Sequence, residues 1–233
     1  MKLIILSDIH GNHEALTAVL DDVIAQGLQH ERFIVLGDSV NYGPNPNEVV
    51  STIKSLNTIL VLQGNHERAL FDKNHIALFA SQRGIDALNI TQNLLTTASI
   101  DEITTWYENP QEYVIDDKIY LFIHGSLDNH HWGKVLPMEF HKYKDYDVVM
   151  SGHTHTPSFA ESNQEKDKKS IFINPGSVGQ PRNHVPSAQY AIFDTDTESI
   201  IFRKCEYDIK ETQRKIEKAG FHPYYKTRLE KGI

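Results

Sequence analysis

Apolar residues in this chain come in short runs that break abruptly on glycine and polar side chains. "KLIIL" (2–6) stops at Ser7 and Asp8, and "RFIVLGD" (32–38) stops at Gly37 and Asp38. "TILVLQGN" (58–65) stops at Gln63, Gly64 and Asn65, "IYLFIHG" (119–125) at His124, and "DVVMSGHTH" (147–155) at Ser151, with His153 and His155 beyond. Runs of this length bounded by such residues read as buried strands. After the first, Leu16, Val19, Leu20, Val23 and Ile24 recur at helical spacing, and Gly27 is placed to end that helix. Pro46 stands where a second helix can begin, with Val49, Val50 and Ile53 as its apolar face. Strand and helix in alternation predict parallel βαβ units.

The pattern then changes. Residues 82–109 read as helical in two pieces, with Ser99 and Glu102 at capping-box spacing for the second. "EYVIDDKIYLFIHG" reads as two strands about a turn, while "SIFINPGSVG" and "YAIFDTDTESIIFRKCEY" suggest further antiparallel hairpins. "ESNQEKDKK" (161–169) reads as a charged hairpin tip, and residues 208–219 as a closing amphipathic helix. A parallel half followed by a strand-rich half predicts an α/β fold: a four-layer αββα sandwich, with two mixed β-sheets face to face and helices outside. No repeat or low-complexity tract divides the chain, so residues 1–233 are expected to form one domain.

Composition narrows the function classes. The first apolar run is far shorter than the ~20 residues of a membrane span, and no cleavage pattern follows it, so a cytoplasmic protein with no membrane partner is expected. Cys205 is the only cysteine, which excludes an internal disulfide and a thiolate zinc site. With net charge −8 and no basic block, nucleic acid is not an expected partner, and an anionic substrate must be attracted by something other than surface side chains. The 13 histidines supply the commonest metal-ligating side chain.

Position makes them informative. Asp8, His10, Asp38, Asn65, His66, His124, His153 and His155 all follow the five strand-like runs. In α/β sheets, ligands bind beyond the carboxyl ends of strands, so these residues can converge. Residues two apart on extended chain point the same way, which lets Asp8 with His10, and His153 with His155, each aim at one place. Gly11, Gly37, Gly64, Gly125 and Gly152 beside them permit tight turns. Two carboxylates, an amide oxygen and several imidazoles suit manganese, iron or zinc better than calcium or magnesium. The set exceeds what one ion needs, and Asp38 can bridge, so two divalent metal ions are expected.

"DIH", "GDSV", "GNHE", "IHG" and "GHTH", in that order over residues 8–155, resemble the five motifs of the calcineurin-like metallophosphoesterases. "GDSVNYGPNPNEVV" and "NPGSVGQPR" make the chain similar to small bacterial and archaeal phosphodiesterase-like members. The resemblance implies that Asp8, His10 and His155 hold one metal and Asn65, His124 and His153 the second, with Asp38 bridging and His66 donating a proton. The phosphoprotein phosphatase branch reads "GDxVDRG" and "RGNHE", whereas this chain carries Asn41, Tyr42 and Gln63 at the differing positions. Two phosphate-gripping arginines are therefore missing, which argues against a protein phosphatase.

A metal-dependent hydrolase of a small phosphodiester or nucleotide is the function this implies, with hydroxide rather than a side chain as nucleophile and His66 as general acid. The alternatives are a phosphomonoesterase, a dinucleoside polyphosphate hydrolase, or a metal-binding scaffold for partner proteins. Tyr42, Arg68 and Arg182 are candidate substrate contacts, with His130 and His131 in the "SLDNHHWG" loop (126–133). Asn12 reads as a helix N-cap or an orienting residue, and His13 and Glu67 as solvated or supporting.

Overall fold

In a computed structural model, which describes residues 1–163 and 169–233, the chain runs β1 (Lys2–Leu6), α1 (His13–Ala25), β2 (Arg32–Val35), α2 (Pro46–Ser55), β3 (Thr58–Val61), α3 (Asn65–Phe71), α4 (Lys73–Ile76), α5 (Gln82–Leu94) and α6 (Thr97–Thr104). It continues through β4 (Gln111–Ile115), β5 (Lys118–Ile123), β6 (Val148–Ser151), β7 (Ser158–Asn163), β8 (Lys169–Asn174), β9 (Ala188–Asp194), β10 (Ser199–Cys205), α7 (Ile209–Lys218) and α8 (Pro223–Thr227). The tip of the β7–β8 hairpin, residues 164–168, lies outside the described residues; its flanks pair antiparallel, as expected of a hairpin.

Two five-stranded mixed sheets result, in the orders β10-β9-β1-β2-β3 and β4-β5-β6-β8-β7. β1, β2 and β3 are parallel to one another, as are β5, β6 and β8. The sheets do not divide the sequence into halves. β9 crosses back to pair antiparallel with β1, which gives that strand, buried from Leu3 to Leu6, a partner on both edges and leaves its main-chain groups satisfied.

The strands are apolar on both faces because both faces are covered. Leu3, Ile5, Ile34 and Leu36 of the first sheet pack against Tyr120, Phe122, Val148 and Met150 of the second, forming the layer between sheets. Ile4, Leu6, Phe33 and Val35 face the other way, onto Leu16 and Val19 of α1 and Val49, Val50 and Ile53 of α2. On the outside of the second sheet, Leu121, Ile123 and Val149 are covered by Phe140 and Tyr143 of a 3₁₀ segment, Pro137–Tyr143. This short segment fills the outer layer there.

Local signals held with two corrections. Pro46 opens α2 and Asp208 caps α7 as expected, and Asp116 and Asp117 take the positive φ values that a tight β4–β5 turn needs. Ser99, however, is not the cap of α6: Thr96 Oγ1 accepts from the Ser99 main-chain N–H, so the helix starts one turn earlier. Nor does α7 close the chain. α8 and a 3₁₀ turn at Leu229–Lys231 follow it, and their apolar residues Tyr225 and Leu229 pack with Phe221, Ile216 and Ala87. Helices this short carry too little periodicity to be seen in sequence. No helix among the described residues is long and apolar enough to cross a membrane.

Candidate metal centre

The eight residues expected to converge do so, at the carboxyl ends of parallel strands from both sheets. Asp8 and His10 follow β1, Asp38 follows β2, Asn65 and His66 open α3 after β3, His124 follows β5, and His153 and His155 follow β6. The local reason differs from simple alternation along extended chain. Asp8, His10, Asp38, His153 and His155 all have positive φ, between 50° and 66°, and so sit in the left-handed region. Such a backbone is costly for residues other than glycine and persists where surroundings enforce it. His153 and His155, moreover, serve two different groups of ligands.

In one group, ligand atoms of Asp8, His10, Asp38 and His155 all lie within 4.8 Å of one another; in the other, those of Asp38, His124 and His153 do. Asp38 belongs to both. Its Oδ2 lies 3.2 Å from His124 Nε2, 3.7 Å from His66 Nε2 and 3.9 Å from His10 Nε2. Asn65 Oδ1 joins the second group, 3.1 Å from His124 Nε2 and 3.0 Å from His153 Nδ1.

Proton positions follow from the partners outside the cluster. A carbonyl only accepts, so His10 Nδ1 donates to Val40, His124 Nδ1 to Leu36 and His155 Nδ1 to Gln180, at 3.3, 2.7 and 2.6 Å. Each of these imidazoles, when neutral, then turns a lone pair on Nε2 inward. His10 Nε2 and His155 Nε2 face each other at 3.2 Å, with no proton between two such rings to hold them together. Asp8 Oδ2 accepts from Ser7 Oγ and the His153 main-chain N–H, whereas its buried Oδ1 has no hydrogen-bond partner and lies 3.2 Å from His155 Nε2, which has no proton to give when the ring is neutral. Converging lone pairs and a hydrogen-bond-free carboxylate oxygen, all buried, form a donor set that a divalent cation satisfies and protein groups do not. The residues fit metal ions.

Electrostatics agree. Burial raises Asp8 above the usual carboxylate range, with neighbouring Asp38 adding to the shift. Burial would raise Asp38 too, but His124 and His66 hold it well below that range. Burial alone would lower His124; Asp38 and Asp8 instead push it up to about 9. Burial lowers His10, His153 and His155, keeping them neutral and free to ligate.

His66 is likewise lowered by burial, to about 4. Its Nδ1 accepts a 2.8 Å hydrogen bond from Asn41 Nδ2, which leaves Nε2 as the protonated nitrogen beside Asp38. Tyr42 stacks between this centre and the C-terminal helices, its ring 5.0 Å from His10, 4.5 Å from His66 and 4.7 Å from Tyr225. Arg182 is exposed, and its main-chain N–H donates to His155 O. Arg68 faces Glu108 and Asp72 at 3.5 and 4.0 Å rather than the cluster. The 126–133 loop places Trp132 edge-on to Phe79 and 6.1 Å from the His153 ring.

Two supporting residues outrank their sequence signal. Glu67, expected to be solvated or supporting, is fully buried; its carboxylate accepts from the main-chain N–H groups of Asp38, Val40 and Gly64 at 2.8, 3.0 and 2.8 Å, tying the Asp38 loop to α3. The available signal was its place as the third residue of α3, where a glutamate reaches back to the cap. Asn41 was notable only as a departure from a motif. Asn12 caps α1, accepting from Ala15 N–H, and also donates to Gly179 O; His13 lies 3.3 Å from Thr52 Oγ1, away from the cluster.

Comparison with known proteins gives a consistent result. Residues 1–198 match the family model described as the calcineurin-like phosphoesterase superfamily domain. An uncharacterized protein of Methanocaldococcus jannaschii is 34% identical over 92% of this chain and 91% of its own. Phosphodiesterase YfcE of Escherichia coli is 30% identical over 86% of this chain and 91% of its own. The crystal structure of a metallophosphoesterase from Sphaerobacter thermophilus superposes with a TM-score of 0.80 at 27% identity, covering all of both chains.

Proposed function

The chain belongs to the calcineurin-like phosphoesterase superfamily, and on that premise we propose that it is a divalent-metal-dependent hydrolase of small phosphodiesters or nucleotides. Asp8, His10 and His155 would hold one ion, Asn65, His124 and His153 a second, and Asp38 both. The observation that carries this reading is the pair of ligand groups sharing Asp38, with lone pairs of His10 and His155 aimed inward. Residues 1–233 read as one domain in the same proposal, supported by the stacking of Tyr225 from α8 on Tyr42.

When bound, the ions supply Lewis acidity toward phosphoryl oxygens and acidify water to make the nucleophile. The protein does the rest. Three main-chain carbonyls fix the imidazole orientations, and Glu67 fixes the loop that presents Asp38. His66 keeps its proton on Nε2, from which it can donate a hydrogen bond to the departing ester oxygen as charge builds there, while the proton that completes the alcohol comes from water. Gln63 donates to the carbonyls of Ile103 and Trp106 and so has no hand free for phosphate. A monoester dianion, which carries more charge than a diester, loses most where Tyr42 and Gln63 stand in place of phosphate-gripping arginines, and this favours the diester.

Chelated protein assayed on a chromogenic diester and its matching monoester, before and after adding manganese, tests the proposal. Metal-dependent cleavage with the diester preferred is expected. Monoester preference would replace the substrate class, and inactivity on both substrates with metal bound would remove the enzymatic reading.

A further inference from the structure

Beside the metal centre, on the far side of Tyr42, lies a cavity of about 270 Å³ lined by Tyr42, Arg83, Arg182, Tyr224, Tyr225 and Arg228. Three guanidinium groups meet there in a chain whose net charge is −8. Among the described residues none of the three pairs with an aspartate or glutamate. Arg83 and Arg228 lie over the Tyr224 ring at 4.4 and 5.0 Å, the Nε of Arg228 donates to the main-chain oxygen of Ile233, and Arg182 reaches Gln180 Oε1 at 3.5 Å. Arg228 is 7% exposed. Arg228 thus has the Ile233 oxygen and the Tyr224 ring as partners, while Arg83 and Arg182, with no acidic side chain beside them among the described residues, leave guanidinium donors open to an anion in the cavity. Burial, with Arg182 adding to it, lowers Arg228 to about 10.

The cavity adjoins the metal centre across the Tyr42 ring, which lines one and packs against His10 of the other. From His10 the rings run to Tyr42 at 5.0 Å and on to Tyr225 at 4.7 Å, with Tyr224 a further 5.6 Å away. Arg182 joins the two sites, since its main-chain N–H donates to His155 O and its side chain lines the cavity. The wall formed by Tyr224, Tyr225 and Arg228 lies beyond residues 1–198, the part that matches the family model.

We propose that Arg83, Arg182 and Arg228 form a second anion subsite, which takes a phosphate further along the chain from the one at the metal centre. The substrate class is then a compound with two or more linked phosphates, such as a nucleoside polyphosphate, rather than a diester with a single phosphorus. This rests on the phosphoesterase reading above. Hydrolysis adds the oxygen of water to the phosphorus at the metal centre, breaks its bond to the bridging oxygen, and delivers a proton to that oxygen, while the arginines hold the departing phosphates. Guanidiniums suit the task because their planar forks bind phosphate oxygens in pairs.

The test compares kcat/KM of the full chain with manganese on a dinucleoside tetraphosphate and on bis(p-nitrophenyl) phosphate. Arg83→Ala, at an exposed position that tolerates truncation, should lower the first by about 10- to 100-fold, chiefly through KM, and the second by less than about threefold. Arg228→Ala should behave alike, with Arg228→Lys recovering part of the loss. Calorimetric titration with inorganic triphosphate, in chelator and again with manganese, reads the subsite without turnover; Arg83→Ala should weaken binding about tenfold or more. Equal losses on both substrates, or unchanged triphosphate binding, overturn the subsite and leave the phosphoesterase reading intact. Arginine-dependent triphosphate binding without hydrolysis of any ester does the reverse.

Discussion

Asn41 Nδ2 donates to Nδ1 of His66 at 2.8 Å, and both side chains are buried. The amide orientation is fixed from its other end, because Asn41 Oδ1 accepts from the Tyr42 main-chain N–H at 2.7 Å and from Thr91 Oγ1 at 3.2 Å. The nitrogen must therefore face the imidazole, and the imidazole must carry its proton on Nε2. Replacing His66 with Asn should lower kcat by roughly 10²- to 10⁴-fold with the metal content unchanged. Asn41→Ala should give a smaller loss in kcat with little change in KM. An active His66→Asn protein with full metal occupancy would exclude His66 from stabilising the leaving oxygen.

Asp38 is the residue common to both ligand groups, so its loss should matter more than that of any ligand confined to one group. Manganese should raise the melting temperature of chelated wild-type protein, by a stabilisation of roughly 3 kcal/mol at a hundredfold excess over Kd. Asp38→Asn should abolish most of that rise, whereas His153→Ala should leave part of it. Scanning calorimetry with and without metal distinguishes the two.

A Cβ added at Gly64 would sit 2.2 Å from Asp38 Oδ1 and 2.6 Å from the Asp38 main-chain nitrogen, and the backbone there has no room to retreat. Gly64→Ala should cost about 1–3 kcal/mol and weaken metal binding with it. Gly27 provides the contrast: its φ of +71° makes alanine strained, but nothing lies within 4 Å. Gly27→Ala should cost stability alone, and metal titration of the two variants at matched fraction folded separates these effects.

Glu67→Gln replaces an acceptor of three main-chain N–H groups with an amide that turns its own N–H toward one of them. A loss of about 1–3 kcal/mol is expected, together with lower metal affinity, because the freed N–H groups belong to the loop that holds Asp38. Denaturant titration of the metal-free proteins measures the first, and metal titration the second. Retained stability would mean that the loop is held by its packing.

Asp22 ties α1 to β9 and β10, accepting from Arg203 Nε and Nη2 at 3.0 and 2.7 Å and from Tyr190 Oη at 2.7 Å. Arg203 lowers the Asp22 carboxyl below its ordinary 3.8. A carboxyl depressed in the folded state stabilises above its unfolded pKa and loses that contribution as pH falls through its folded value. Wild type should exceed Asp22→Asn at pH 7 by about 1 kcal/mol or less, since the pair is partly exposed. The gap should close below about pH 4, which chemical denaturation at several pH values would show.

The strands of the parallel units, the longer helices with apolar positions at regular spacing, and the eight clustered polar residues were all legible in sequence. Burial on both faces forces continuous apolar runs, and a ligand at a strand end must follow such a run directly. The resemblance to small bacterial and archaeal members of the superfamily was legible as well, in "GDSVNYGPNPNEVV" and "NPGSVGQPR".

What sequence could not supply was anything created by distant segments meeting. Sharing of Asp38 between two groups, the turning of His153 and His155 to different groups, and the pairing of β9 with β1 depend on how two sheets stack, and no local spacing encodes that. Glu67 looked like an ordinary charged residue because its three partners are main-chain N–H groups, which every sequence position but proline possesses. The arginine cavity is the clearest case: Arg182 stood out in sequence as a candidate substrate contact, but Arg83 and Arg228 stand far from it in the chain and unremarkable in their neighbourhoods. They become a site only because α8 packs Tyr225 onto Tyr42 and brings the three charges to one wall.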